Sequence, residues 1–327
     1  MPVEHASIST VPPSGELIVD GGRSVSRTEA LMGGHATITV VGGTTRVLDA
    51  AFALAHQCES LWSRFIPTSD IMRINGAEGR PVRVDARTAA LVECMIEAHD
   101  LTGGTFDPTL LPDVIASGYD SSVLDPTKRT VLPASATSPG RLTGVRVFAR
   151  EVQVPRGTTL DAGGIGKGAT ADAVCELILA EGAAGAMAEI GGDITVTGDG
   201  PGGDGWRLGI ENPFAGPGAS PEDAHIDVVH LAEGAVATSS VRKRVFSVDG
   251  IERHHLVDPS THRSATTDVQ TVSVIASTGA RAEVLTKAGF LVGTNEYLDW
   301  LSTVGAAGFV VLADGTCRES ATWEEYR

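Results

Sequence analysis

The chain predicts an α+β fold in which mixed and antiparallel strands are flanked by helices. Apolar residues recur at helical spacing in several long stretches, and short alternating runs elsewhere read as strands. The two kinds of segment are interleaved without the regular strand–helix–strand alternation of a parallel sheet. The 39 glycines among 327 residues, about 12% against an ordinary ~7%, point to many tight turns and close backbone contacts.

Taken in order, residues before Gly34 carry Pro12, Pro13, Gly21 and Gly22 and read as a poorly structured leader. His35–Val41 alternates and ends at Gly42–Gly43, a strand. Val47, Ala51, Leu54, Cys58, Leu61 and Phe65 mark an amphipathic helix of about five turns. Val82–Val84 reads as a short strand, and Ala86–Leu101 as a helix stopped by Gly103–Gly104. The segment 103–143 is loop-rich. Short strands follow at Val145–Ala149, Val152–Val154 and Thr158–Leu160. The cluster Gly163, Gly164, Gly166 and Gly168 then opens a helix with Ala169, Ala173, Leu177 and Ala180 inward. Strands resume at Ala186–Ile190, Ile194–Thr197, Trp206–Glu211 and Ile226–Leu231. Asp249–Gly250 predicts a hairpin between Lys243–Val248 and Arg253–Val257. A strand at Val269–Ala276, helices at Ala280–Val292 and Glu296–Ser302, and a strand at Phe309–Ala313 complete the pattern.

The 41 acidic and 25 basic residues give a formal charge of −16. That balance argues against a surface built to neutralise nucleic-acid phosphates. No apolar run approaches the ~20 residues of a membrane-spanning helix, and no secretory signal pattern opens the chain. Cys58, Cys94, Cys175 and Cys317 lack metal-ligand spacing, and the first three fall in predicted helices, so they read as buried thiols. A cytoplasmic protein with no nucleic-acid or membrane partner is the expectation.

Three segments carry candidate chemistry. In LDAGGIGKGAT (Leu160–Thr170), glycines before a helix let backbone N–H groups approach an anion, and Lys167 adds a point charge. A tight turn with a solvated lysine explains the same spacing equally well. In TGGTFDPTL (Thr102–Leu110), Asp107 precedes proline, for which a turn-capping role is the default. In Ala237–Pro259, Thr238, Ser239 and Ser240 supply hydroxyls, and Arg242, Lys243 and Arg244 concentrate positive charge. His255 and Asp258 there can form an acid–base pair or simply end a hairpin.

Together these segments resemble the ApbE family, whose members are FAD:protein FMN transferases. MGGHAT (Met32–Thr37), WSRFIPTSDIMRIN (Trp62–Asn75), TGGTFDPT, LDAGGIGKGATAD, EIGGDITVTG, WRLGIENP, AVATSS and HHLVDP follow in the family's order. The resemblance implies an ApbE-like catalytic domain over residues 32–320 with two lobes, a flexible leader at 1–31 and a tail at 321–327. It implies FAD as the nucleotide, cleaved at its pyrophosphate, with FMN passed to a threonine of an acceptor protein and AMP released. Met32, Asp107, Asp161, Gly164, Lys167, Thr238, Ser239 and Ser240 match or adjoin family positions around the flavin nucleotide. His255 and Asp258 match the His-x-x-Asp-Pro motif and are the implied catalytic pair. The family uses Mg²⁺, for which the Gly166 carbonyl, Glu283 and Thr286 are the candidate ligands.

At that metal site the sequence departs from the family. Members usually carry Ala-Asp-Ala-Leu-x-Thr-Ala, whose aspartate and threonine bind Mg²⁺, where this chain has Ala282-Glu283-Val284-Leu285-Thr286-Lys287-Ala288. Lys287 occupies the threonine position, and Thr286, one residue early, points about 100° away on an ideal helix. Glu283 and Lys287 are spaced for an ion pair. Three outcomes stand open: Mg²⁺ bound differently, Lys287 replacing it as a fixed cation, or transfer lost with FAD binding kept. Hydrolysis of FAD to FMN and AMP is a further alternative.

Overall fold

The computed structural model describes residues 15–19, 22–216, 218–248 and 250–327. Nine strands form one sheet: β1 (Gly15–Val19), β2 (Gly22–Leu31), β3 (Gly34–Val41), β4 (Gly185–Ile190), β5 (Asp193–Gly198), β6 (Gly234–Ser240), β7 (Val269–Ala276), β8 (Ala307–Leu312) and β9 (Cys317–Glu319). Their spatial order is their chain order, and every neighbouring pair is antiparallel. The α+β prediction holds. Among the described residues, all other helices and strands except the short C-terminal turn of helix at Trp323–Tyr326 are inserted between successive strands of this meander.

Among the described residues five long helices arise in those insertions: α1 (Thr45–Trp62), α2 (Ala86–Leu101), α3 (Gly166–Ala180), α4 (Gly279–Ala288) and α5 (Thr294–Thr303). Helix α2 starts where Asp85 accepts a bond from Arg87 N at 2.9 Å, an N-cap that satisfies one orphan donor. Its end at Thr102 is followed by Gly103 and Gly104, both at positive φ. Helix α4 starts where Thr278 Oγ1 accepts from Arg281 N at 3.2 Å.

Strand alternation sends side chains into two cores. Ala36, Ile38 and Val40 of β3, Ala235 and Ala237 of β6, and Val272 and Val274 of β7 join the core shared with all five helices. On the opposite face Val236, Ile275, Phe309 and Val311 pack against the hairpin Trp206–Glu211 with His225–Leu231. The predicted tail closes that second core. Trp323 is fully buried there, its ring 5.3 Å from Phe309, and its Nε1 donates to Asp227 Oδ2 at 2.9 Å.

Helices α3 and α4 cross at a pair of glycines. A Cβ on Gly168 would lie 2.1 Å from the Gly279 carbonyl oxygen, and one on Gly279 would lie 2.7 Å from that of Gly168. Asp172 stitches the crossing. Its Oδ1 accepts from Gly279 N at 2.6 Å and Thr195 Oγ1 at 2.9 Å, and its Oδ2 from Ala280 N at 3.0 Å. Burial raises the Asp172 pKa, against these hydrogen bonds.

Four sequence readings need correction. Gly22–Leu31 is not leader but strand β2, paired with β3 from Ser24 opposite Val41 to Leu31 opposite Gly34; residues 1–14, 20 and 21 lie outside the described residues. Thr158–Leu160 forms no strand, because the Asn75 amide takes the place of a partner strand. Its Oδ1 accepts from Leu160 N at 2.7 Å and its Nδ2 donates to Leu160 O at 2.8 Å. The loop-rich segment contains a short helix, Leu111–Ala116, started by Pro112. Cys94 is exposed rather than buried, since it falls on the outer face of α2. The predicted hairpin forms between Val245–Val248 and Ile251–His254, with Asp249 outside the described residues.

Candidate functional site

The glycine-rich turn before α3 joins two segments singled out in the sequence. Asp161 N donates to Pro108 O at 2.9 Å, which docks the TFDP loop against the turn. Asp107 spends its Oδ1 on Thr109 N and Oγ1, at 2.7 and 2.6 Å, the turn-capping role. Asp161 Oδ1 accepts from Gly163 N at 3.1 Å. A Cβ on Gly164 would stand 3.0 Å from the Phe106 ring and 3.5 Å from Lys287 Cε, so the turn lies directly on the Lys287 side chain.

Helix α3 has no side-chain cap of its own. Glu283, 1% exposed on α4, supplies one from 115 residues away: its Oε2 accepts from Gly168 N at 2.9 Å. A carboxylate at a helix N-terminus is favoured by the orphan N–H groups and the helix dipole. The anion at this N-terminus is therefore the protein's own. Glu283 Oε1 lies 3.2 Å from Lys167 Nζ, an ion pair off hydrogen-bonding alignment. Lys167 Nζ is also bonded to Asp193 Oδ2, and Asp193 Oδ1 accepts from Thr238 N at 3.2 Å.

Lys287 does not pair with the Glu283 carboxylate as its spacing predicted, because Lys167 reaches that carboxylate first. Its ammonium instead donates to the Glu283 carbonyl at 2.8 Å, Ser239 Oγ at 3.1 Å and Thr286 Oγ1 at 3.2 Å. Burial lowers its pKa to about 8, with Glu283 opposing and Lys167 adding to the shift. Of the three hydroxyls predicted for the site, strand alternation brings only Ser239 to Lys287. Thr238 Oγ1 bonds Ser273 on β7 at 2.8 Å, and Ser240 Oγ accepts from Arg242 N at 3.1 Å.

His255 faces this cation cluster. Its pKa is driven down to about 3 by burial, then by the charges of Lys287, His254, Arg244 and Lys167. Its Nδ1 is buried without a partner, so the imidazole stands neutral with an open nitrogen. The predicted pair with Asp258 does not form. Asp258 Oδ1 accepts from Ser260 N and Oγ at 2.8 and 2.7 Å, and among the described residues no hydrogen bond joins it to His255. Burial opposes these bonds, which still hold the Asp258 pKa below the ordinary range. Met32 occupies the β2–β3 turn at φ +50, its N donating to Glu59 Oε1 at 2.7 Å. Arg244 Nη2 donates to Gly33 O in that turn at 2.8 Å, tying it to the cluster.

The residues at the family's metal positions do not fit Mg²⁺. Glu283 Oε2 accepts from Gly168 N, and its Oε1, which makes no hydrogen bond, lies against the Lys167 ammonium that a metal ion would have to displace. The Gly166 carbonyl accepts from Thr170 Oγ1 at 2.7 Å. Thr286 Oγ1 is shared between the Glu283 carbonyl and Ser239, both at 2.7 Å. A lysine ammonium stands where a hard cation would need oxygens. No group of three His, Cys, Asp or Glu side chains among the described residues is placed to hold a metal.

Sequence reasoning missed Asp193, Glu59 and Asp172. Each is a single acidic residue with no motif around it that marks a role, a weak signal that becomes legible only through partners far along the chain.

Comparison with known proteins finds relatives over most of the chain. The ApbE family profile matches residues 32–310. An FAD:protein FMN transferase of Treponema pallidum (strain Nichols) is 30% identical over 292 residues, covering 83% of this chain and 79% of its own. One from Klebsiella pneumoniae (strain 342) is 25% identical over 281 residues, 84% of each chain. The solved ApbE protein of Thermotoga maritima superposes with a TM-score of 0.78 at 26% identity, over 93% of this chain and 99% of that one. The flavin transferase ApbE of Vibrio cholerae, 20% identical over 94% of this chain and 100% of its own, shares the fold with a TM-score of 0.76. With a profile match over most of its length and a relative of this identity and coverage, the chain belongs to the ApbE family.

Proposed function

We propose that this protein is an FAD:protein FMN transferase, moving FMN from FAD to a threonine hydroxyl of an acceptor protein and releasing AMP. The observation that carries the reading is the glycine turn resting on Lys287, with Lys167, Arg244 and an unprotonated His255 converging on the same place. The glycines of the turn, lacking Cβ atoms, admit a pyrophosphate closely, and the cations oppose its charge.

In the reaction the threonine Oγ forms a bond to the FMN-side phosphorus, and the bond from that phosphorus to the bridging oxygen breaks. AMP leaves with the bridging oxygen and its electron pair. The threonine proton passes to the open imidazole nitrogen of His255. The negative charge of bound FAD offsets the cations that depress this histidine and raises its basicity for the step. Lys287 faces the charge building on the phosphate oxygens, the part that positioning and electrostatics play in phosphoryl transfer. Asp258 fixes the turn after the histidine rather than sharing its proton.

A cytoplasmic address belongs to the same reading and is supported by four cysteines that stand as free thiols. The chain has no helix among the described residues long and apolar enough to cross a membrane.

Incubation with FAD and a threonine-bearing acceptor, with and without a chelator, tests the reading. Flavin fluorescence on the denatured acceptor together with released AMP supports transfer. Free FMN and AMP would replace it with hydrolysis. A bound, unchanged FAD would leave a binding protein, the reading favoured by Glu283 and Lys287 at the metal positions.

A further inference from the structure

Arg64 follows α1 and is only 5% exposed. Its Nη1 and Nη2 are buried with no hydrogen-bond partner. Its one carboxylate neighbour among the described residues, Asp161 Oδ2, is 4.0 Å from Nε, beyond hydrogen-bonding reach. The guanidinium lies over two rings, 4.6 Å from the Phe65 centroid and 4.3 Å from that of Tyr119. Tyr119 stacks on Phe246 at 5.1 Å and 19°, and Arg244 approaches the Tyr119 ring at 5.9 Å.

A desolvated guanidinium is costly unless its donors are met. The ring contacts recover part of that cost, because a cation is attracted to an aromatic face. They leave the donors of both Nη groups unused. The guanidinium that carries these free donors has its Nε 4.0 Å from Asp161 at the start of the glycine turn, while the aromatic wall holds it in one orientation.

We infer that Arg64 is a binding residue for the flavin nucleotide, its fork donating to two adjacent acceptor atoms of the ligand. FAD presents such pairs at two places: the carbonyl and ring-nitrogen edge of the isoalloxazine, and the oxygens of the pyrophosphate. The inference rests on FAD as the substrate. Arg64 fills the role better than lysine because two parallel N–H groups match a pair of acceptors, whereas an ammonium is a point charge.

Titration of FAD, riboflavin and ADP against wild type, Arg64→Met and Arg64→Lys, with thermal melting of each unliganded protein, tests it. Arg64→Met should weaken FAD binding by roughly tenfold or more, the scale of lost charged hydrogen bonds, and Arg64→Lys should recover only part. A loss shared by riboflavin assigns the fork to the ring edge; a loss shared by ADP assigns it to the pyrophosphate. Unliganded Arg64→Met should melt no lower than wild type, since it sheds an unpaired buried charge. Wild-type FAD affinity in Arg64→Met overturns the inference alone, and a lowered melting point with unchanged affinity would make the residue structural. Should Arg64→Met fail to fold, wild-type affinity in Arg64→Lys is the overturning result. If the wild-type protein binds none of the three ligands, the FAD reading fails and takes this inference with it.

Discussion

Replacing Gly168 with alanine tests whether the α3–α4 crossing holds the site together. The added Cβ would lie 2.1 Å from Gly279 O, 2.2 Å from Gly279 C and 2.6 Å from Ala280 N. All three are backbone atoms, so no side chain can swing aside, and α4 must retreat by more than an ångström. Overpacking of this kind costs about 1–3 kcal/mol. The retreat also stretches Gly168 N to Glu283 and Gly279 N to Asp172, bonds of 2.9 and 2.6 Å. A buried charge-assisted hydrogen bond contributes about 1.5–3 kcal/mol. Alanine's helix propensity returns only about 1 kcal/mol, so the net loss is about 2–5 kcal/mol. Urea unfolding should show it, with weakened FAD binding because Lys287 and Glu283 ride on α4. Gly166→Ala, two residues earlier on the same helix, is the control. Its Cβ meets Ala162 Cβ at 3.4 Å and Trp62 at 3.9 Å, ordinary contacts, so it should be neutral or stabilising. If Gly168→Ala matched Gly166→Ala in stability, the argument from close helix approach would be refuted.

The double change Glu283→Asp with Lys287→Thr should create Mg²⁺ binding visible by calorimetry, since it removes the ammonium and shortens the carboxylate away from Lys167. Unaltered Mg²⁺ binding would show that the metal positions are misplaced. Lys287 titrates near 8, below its ordinary 10.5, so between these values the unfolded chain holds a proton that the folded chain has lost. Its contribution to stability therefore rises with pH across that window, whereas FAD affinity falls as pH passes about 8 and the cation disappears. Lys287→Met should flatten both trends, and a wild-type FAD affinity that stays level across the window would contradict the role given to the ammonium. Asp161→Ala should weaken FAD binding roughly tenfold, the effect of losing a charged hydrogen-bond partner, because Gly163 N loses its anchor. Equal affinity in a fluorescence titration would remove Asp161 from the pocket.

Helix α2 and strand β7 could be read from sequence to the residue because each carries a long, unbroken period with clear stops. Strand β6 could not. Its Ala-Val-Ala-Thr-Ser-Ser run is small and polar, and it becomes a strand only because β5 and β7 flank it. The glycine turn and Lys167 were legible as an anion-receiving element, yet the anion found there is Glu283, delivered from a helix far along the chain. Spacing on one helix likewise joined Glu283 to Lys287, while the fold gave the carboxylate to Lys167. Local pattern reports what a segment can do. Which of two cations reaches a carboxylate is settled by tertiary approach, which no window of sequence contains.

A sheet whose spatial order follows the chain has consequences for how the molecule assembles. The β2–β3 and β4–β5 pairs close across tight turns and can form early, whereas β3 cannot meet β4 until the long excursion bearing α1, α2 and the glycine turn has been gathered. The residues of the site come from the β2–β3 turn, from that excursion, from strands β5 and β6, from the β6–β7 connection, and from α4 after β7. They can therefore meet only when the central seam is shut. Pulse-labelling hydrogen exchange should find amides of the β2–β3 hairpin protected before Gly168 N, and simultaneous protection would argue for a single concerted closure.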